Sequence, residues 1–253
     1  MLSDDELTQD GFLSGRLMVL QPRKGYRAGT DPVLLAAAVD ARPGESVLEL
    51  GCGVGVASLC LGWRVPGVAL TGVEIQPEYA GLATRNAAAN EISMTVLCAD
   101  LRALPGDLRA RSFDHVFANP PYFRPGSSTP AVDPGRETAN TGATRLEDWL
   151  ETALRRLSPG GTFTIIHRVD RLQDVLIGLG RRAASIVIQP LASRAGRDAE
   201  RMIVRARKGG RGGVELKTPL ILHDGAQHVC DGDSFSARAR AILRDGAPLA
   251  LQV

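Results

Sequence analysis

The stretch Ser46-Val-Leu-Glu-Leu-Gly-Cys-Gly-Val-Gly55 decides how the rest of the chain is read. Five residues of strand character run into three glycines at alternate positions, and an apolar, periodic segment over residues 54–63 follows. That is a strand, a tight turn and a helix. Glycines at such a turn take up backbone angles closed to other residues and let a ligand approach the main chain at the start of the helix.

Outward from this unit the alternation repeats. Strand-like runs occupy Ser46–Leu50, 68–73, 94–99, Phe113–Ala118, 162–167, 185–189 and 201–206, with helix-like segments at 54–63, 77–90, 145–157 and 170–181. In the third helix Leu146, Trp149, Leu150, Ala153, Leu154 and Leu157 form one apolar stripe, Thr144 and Glu147 match a capping box, and Pro159-Gly160-Gly161 should stop it. The alternation predicts an α/β fold, a single doubly wound domain with a parallel sheet of seven strands and helices on both faces. Ligands of such sheets bind at the carboxyl ends of the strands, so residues just after each strand carry the most information.

With 253 residues, 44% of them apolar, the chain can bury one ordinary core. Its 30 Lys and Arg against 28 Asp and Glu exclude both a polybasic nucleic-acid tail and an acidic solvating protein, so any basic face must be local. Apolar runs fall far short of a membrane helix and the first ten residues are acidic, which predicts a cytoplasmic protein. Cys52, Cys60, Cys98 and Cys230 lack paired spacing and the histidines are scattered, so neither a metal site nor a disulfide framework is expected. Residues 1–45 read as an extension in which Thr30-Asp31-Pro32 starts a short helix to 39; residues 46–207 form the core. Residues 208–253 read as an appended hairpin, with strand-like material at 214–223, and a final helix at 235–244.

The glycine loop does not suit a dinucleotide. Its third glycine is not where that fingerprint needs it, since Val56 stands there, and Glu49 would repel a pyrophosphate. A carboxylate two residues before Gly51 suits the ammonium of a methionine tail instead, and Gly51, Gly53 and Gly55 leave room for an adenosine. Glu74 ends the second strand, where a carboxylate can accept from both ribose hydroxyls, and Asp100 follows the third, placed for an adenine amino group. The pattern points to S-adenosylmethionine.

The fourth strand delivers Asn119-Pro120-Pro121-Tyr122-Phe123. Two prolines fix the backbone and remove two donors, leaving the Pro120 carbonyl free to accept. An exocyclic amine on adenine, or a carboxamide nitrogen, is a poor nucleophile because its lone pair is delocalised. Accepting its two N–H bonds at the Asn119 side-chain oxygen and the Pro120 carbonyl would push that nitrogen toward tetrahedral geometry and aim its lone pair at a methyl group. Tyr122, with Pro121 and Phe123 beside it, can hold a planar base. No imidazole base is needed, so His115, His167, His223 and His228 read as structural or surface residues.

These motifs together resemble the class I S-adenosylmethionine-dependent methyltransferases that act on planar nitrogens. More narrowly, Gln21-Pro-Arg-Lys-Gly-Tyr-Arg-Ala-Gly-Thr-Asp31, Val73-Glu-Ile-Gln-Pro77 and Phe117-Ala-Asn-Pro-Pro-Tyr-Phe123 resemble the bacterial tRNA adenine-N6 methyltransferases that modify the adenosine beside the anticodon of a valine tRNA. The resemblance spans residues 17–223 and implies a Rossmann-like, mostly parallel seven-stranded sheet in the order 3-2-1-4-5-7-6 with one reversed strand. It also implies that Arg27, Gly29 and Asp31 lie across the cofactor, and that tRNA is the partner. A release-factor glutamine methyltransferase shares the Asn-Pro-Pro-Tyr turn but usually carries a helical amino-terminal domain, for which residues 1–45 have little room. A DNA adenine methyltransferase would need a target-recognition domain that is not visible. A catalytically silent RNA-binding protein of the same fold would not need the intact turn.

From residue 194 to 217 there are eight Lys or Arg, among them Arg194, Arg197, Arg207 and Lys208, against three acids. Such a run can neutralise RNA phosphates, or can simply be a solvated basic strand edge. Residues 124–141, long and polar, follow the turn directly and are expected to close over a flipped base.

Overall fold

The computed structural model describes residues 2–122, 144–225 and 234–251. Phe123, the segment 124–141, His228 and Cys230 lie outside them. The chain opens with a hairpin, β1 (Leu7–Phe12) and β2 (Leu17–Pro22), followed by α1 (Thr30–Ala38). The core then alternates β3 (Ser46–Leu50), α2 (Val56–Arg64), β4 (Ala69–Glu74), α3 (Pro77–Ala89), β5 (Met94–Cys98), the short α4 (Gly106–Arg109) and β6 (Phe113–Ala118). After it come α5 (Leu146–Arg156), β7 (Leu157–Arg168), α6 (Leu172–Leu179), β8 (Ala183–Arg194) and β9 (Ala199–Lys208). The short strands β10 (Val214–Leu216) and β11 (Leu220–His223) and the helix α7 (Ala237–Asp245) complete it.

The main sheet has the strand path β5-β4-β3-β6-β7-β9-β8, the expected 3-2-1-4-5-7-6, and β9 is the reversed strand, antiparallel to both neighbours. It is extended to nine strands because β10 and β11 both join the outer edge of β8. β3 lies between β4 and β6, with Glu49 opposite Gly72 on one side and Phe117 on the other. Covered on both faces, it reads as a nearly continuous apolar run. Val47 packs into the core under α1, α2 and α3, whereas Leu48 and Leu50 face the core under α5 and α6. By that alternation Glu49 belongs on the α2 side, where it meets Ser58.

Three expectations are corrected. Residues 214–223 do not form a hairpin: Val214 stands opposite Ile186 and Leu220 opposite Leu191, both in parallel register, so β10 and β11 are two halves of one edge strand. β9 is already paired on both edges, so the returning chain can bond only to the free edge of β8. Pro159-Gly160-Gly161 does not stop α5 in a loop but lies within β7, where the register shifts between Phe113 and His115. A Cβ at Gly161 would come within 2.8 Å of the Asp114 carbonyl, so glycine is what allows the strands to meet there. The cap of α5 is Asp148, which accepts from the Arg145 amide at 3.0 Å, rather than the Thr144 and Glu147 pair.

The hairpin is tied to the core by Asn86 of α3 and by Asn90, the C-cap of that helix. Asn86 accepts from the Leu20 amide at 2.8 Å and donates to the carbonyls of Leu20 and Val54, and Asn90 both accepts from and donates to Met18. Each side-chain amide thus stands in for a strand residue at the edge of β2. Asn86 is fully buried. Asn86→Ala is therefore expected to cost about 2–3 kcal/mol, because three backbone groups lose partners, with a fall in melting temperature that thermal denaturation reads directly.

Candidate active site

The glycine loop, the ends of β4 and β5 and the turn after β6 meet at the carboxyl edge of the sheet, where β3 and β6 diverge to opposite sides of the topology. Gly51, Gly53 and Gly55 have φ of 63°, 55° and 91°. At Gly51 an added Cβ would lie 2.4 Å from the Trp149 ring of α5, so the loop needs glycine both for its left-handed angle and for close contact with the indole. Gly51→Ala is expected to cost about 2–3 kcal/mol and lower the melting temperature by roughly 5–10 °C, as calorimetry would register. Gly29 and Gly53 face the other way, toward space. Nothing lies within 4 Å of a Cβ built at Gly29, and at Gly53 only the Tyr26 ring edge is met, at 4.0 Å.

Two buried carboxylates adjoin the glycine loop. Glu49, 3% exposed, accepts from the Ser58 amide and hydroxyl at 3.1 and 2.5 Å, and among the described residues no Lys or Arg pairs with it. Burial pushes its carboxyl up to about 8, partly offset by the Ser58 hydrogen bonds, and Glu74 raises it further. Glu74 accepts from the Gly53 amide and the Gln76 amide, both at 2.9 Å, one at each oxygen, and so pins the glycine loop to the β4–α3 turn. Burial raises its carboxyl as well, against those amide hydrogen bonds. Asp100 stands at the expected strand end, but Arg102 grips it: the Arg102 amide and guanidinium donate to both oxygens at 2.7–3.1 Å and hold the carboxyl below its usual range.

Asn119 is half-buried at the end of β6, and its Nδ2 donates to the Tyr26 hydroxyl at 3.4 Å. That contact turns Oδ1 away from Tyr26, and among the described residues no backbone amide outside the helices and strands donates to the Pro120 carbonyl. Tyr26 is thus a common wall, touching the glycine loop at Gly53 and the turn at Asn119, and the Tyr79 hydroxyl is within hydrogen-bond distance of its backbone. Desolvation and the carboxylates of Asp31, Glu49 and Glu74 push the Tyr26 hydroxyl up to about 12. Tyr122 donates its hydroxyl to Asp31 at 2.6 Å, and Asp31 in turn is paired with Arg201 of β9. The Tyr122 ring lies 5.3 Å from that of His167, centroid to centroid, tilted by 54°. Burial lowers His167 to about 4, so this imidazole is neutral at physiological pH.

The profile of the methyltransferase small domain matches residues 27–176, more than half of the chain. The chain belongs to this family. Curated relatives named tRNA1(Val) (adenine(37)-N6)-methyltransferase include one from Dickeya chrysanthemi, 29% identical over 252 residues and covering 94% of each chain. Another, from Porphyromonas gingivalis, is 35% identical over 175 residues, 66% of this chain and 68% of that one. Among solved structures, a predicted O-methyltransferase from Agrobacterium tumefaciens superposes with a TM-score of 0.71 at 27% identity, covering 88% of this chain and all of that one. A 16S rRNA guanine-N2 methyltransferase from T. thermophilus shares the fold, with a TM-score of 0.55 at 21% identity over 80% of this chain and 50% of that one.

This methyltransferase uses S-adenosylmethionine as methyl donor, and the residues at the carboxyl edge fit that group. The donor carries a cationic ammonium and a ribose. Here a buried carboxylate without a cationic partner, Glu49, and a second, Glu74, flank glycines that leave open space. Other expected site residues of the methyltransferase are placed differently. Arg27 does not face the cavity: its guanidinium donates to Thr8, to the Pro22 carbonyl and to Asp10, bracing the hairpin. Arg207 and Lys208 lie opposite Thr162, midway along β7, and Ala183, the first residue of β8, three and four residues along β9 from Val204, which is level with Ala118, in the direction away from the catalytic edge. Of the basic run, Arg194, Arg197 and Arg201 stand toward the catalytic end. Arg194 is occupied by the carbonyls of Asp224 and Gly225, and Arg197 is exposed. Tyr26 and Arg201 were not expected at the site. Tyr26 sits inside the Gln21-to-Asp31 motif, where an aromatic beside a glycine was the available signal; nothing local marks Arg201.

Proposed function

We propose that this methyltransferase transfers the methyl group of S-adenosylmethionine to the exocyclic nitrogen of an adenosine in tRNA, beside the anticodon. The observation that carries the reading is the Asn119-Pro120-Pro121-Tyr122 turn, which shares Tyr26 as a wall with the glycine loop. S-adenosylmethionine supplies an electrophilic methyl group when bound. Glu49 holds its ammonium, Glu74 its ribose hydroxyls and Gly29 and Gly53 its close approach, with Asp100 at the adenine end.

The Asn119 Oδ1 and Pro120 carbonyl accept the two N–H bonds of the target amine. That loads its lone pair onto nitrogen and fixes its direction, so no strong base is required. Tyr122 holds the base, with Pro121 beside it, and the Asp31–Arg201 pair fixes the Tyr122 ring through its hydroxyl. Asp31 is thereby assigned a positioning role rather than a cofactor contact. The names of the curated relatives support tRNA as the acceptor.

The test compares acceptors with labelled methyl donor. Bulk tRNA from cells lacking this protein should take up label, tRNA from the parent strain should take up far less, and a release factor should take up none. Label on the release factor alone would replace this reading with a glutamine methyltransferase.

A further inference from the structure

Arg207 and Lys208 leave the catalytic site but do not leave the protein without a basic surface. At the opposite end of the sheet a cleft of about 920 Å³ is lined by Arg155, Arg181, Arg182, Arg207, Lys208 and Arg211, with a floor that includes Gly160, Gly209 and Gly210. Among the described residues no carboxylate lines it. The neighbours that hold these cations are backbone carbonyls: Arg207 donates to Gly160 at 3.1 Å, Lys208 to Leu157 at 2.6 Å and Arg182 to Gly178 at 3.2 Å. Arg181 and Arg211 are exposed without a partner among the described residues, and Arg155 alone has an acid, Glu151 at 2.5 Å. The side chains are therefore oriented while their charge stays uncompensated. Lys208 registers it: burial and the charges of Arg156 and Arg182 lower its ammonium below the usual range.

A cleft walled by one sign of charge concentrates its potential on an incoming polyanion, and guanidinium forks match phosphate oxygens in pairs. The glycine floor lets a backbone come close. From Val204, level with Ala118 at the end of β6, to Arg207 and Lys208 at the cleft, β9 advances three to four residues, about 10–13 Å at the rise of an extended strand. The cleft is too far away to touch the reacting base.

We propose that this cleft is a second RNA-docking site, which grips backbone phosphates of the tRNA at a distance from the target adenosine. The proposal rests on tRNA being the acceptor. Phosphate contacts of this kind fix position without reading sequence, so the site would select the folded tRNA rather than a particular base.

The test uses the full-length protein with Arg181, Arg182 and Arg211 all changed to Gln, beside a triple Arg→Lys control, with folding checked by thermal denaturation. The Gln triple is expected to bind full-length tRNA at least about tenfold more weakly at physiological salt. Its plot of log affinity against log salt should be shallower by about 2–3, one phosphate contact per lost charge. Its kcat at saturating tRNA and its affinity for S-adenosylmethionine should equal those of the parent, and the Lys triple should keep the steep slope. An unchanged affinity and slope in the Gln triple, with a parent that methylates tRNA, overturns the docking site alone. A parent that binds tRNA steeply but transfers no methyl to it overturns the acceptor and leaves the cleft. A parent that does not bind tRNA overturns both. Loss of binding to vesicles of anionic phospholipid, with tRNA binding intact, would reassign the cleft to a membrane surface.

Discussion

Asn119→Ala should lower kcat by about a thousandfold while changing the dissociation constant for S-adenosylmethionine by less than about threefold. The asymmetry follows from where the side chain acts. Among the described residues Asn119 meets the cofactor side through Tyr26, at 3.4 Å, and none of its atoms is bonded to the glycine loop. On the proposed reading its oxygen accepts from the acceptor amine, whose lone pair must leave conjugation as the bond to carbon forms. That interaction strengthens on the way to the transition state, so its loss falls on kcat. Single-turnover methyl transfer together with calorimetric titration of the cofactor measures both quantities. Equal losses in the two would mean that Asn119 props up the cavity.

Glu49→Gln should weaken cofactor binding by about a hundredfold, the range found when one partner of a buried charge pair is removed. Its dependence on pH is as informative as its size. Without the cofactor the Glu49 carboxyl lies at about 8, so it is protonated at neutral pH and must lose that proton to face an ammonium. Affinity of the parent protein should therefore rise with pH from about 6 to about 8 and level off above, by up to about tenfold per pH unit, and the Gln variant should be flat in this window. Stability of the cofactor-free protein runs the other way. The folded value lies above the unfolded one of about 4.5, so this group's contribution is complete below that value and is lost as pH rises through about 8. Titrations at several pH values and melting curves of both proteins check the two signs.

Much of this was legible because strand ends are marked in one dimension. Glu49, Glu74 and Asp100 each close an apolar run, and Asn119 follows one, so the alternation of elements carried them to one edge of the sheet before any contact was known. What stayed hidden depends on pairing across the fold. Arg201 and Lys208 are close in sequence yet stand at opposite ends of the sheet because β9 runs backwards between β7 and β8. The bond from Tyr122 to Asp31 joins residues 91 apart, and no local pattern announces it. Arg27 belongs to the right segment but braces the hairpin, which itself escaped notice because β1 is largely half-exposed and its partner strand is bonded to α3 through asparagine side chains rather than through a third strand. Tyr26 lay in plain sight. Its importance comes only from the two motifs it touches.

The central claim is that the diproline turn presents an exocyclic base nitrogen to the methyl donor. Nucleoside mass spectrometry, after incubating tRNA with labelled donor and either the parent protein or Asn119→Ala, tests it most directly. The expected result is labelled N6-methyladenosine at a single position beside the anticodon with the parent and almost none with the variant. Label on a ribose oxygen, or equal N6-methyladenosine from both proteins, would contradict it.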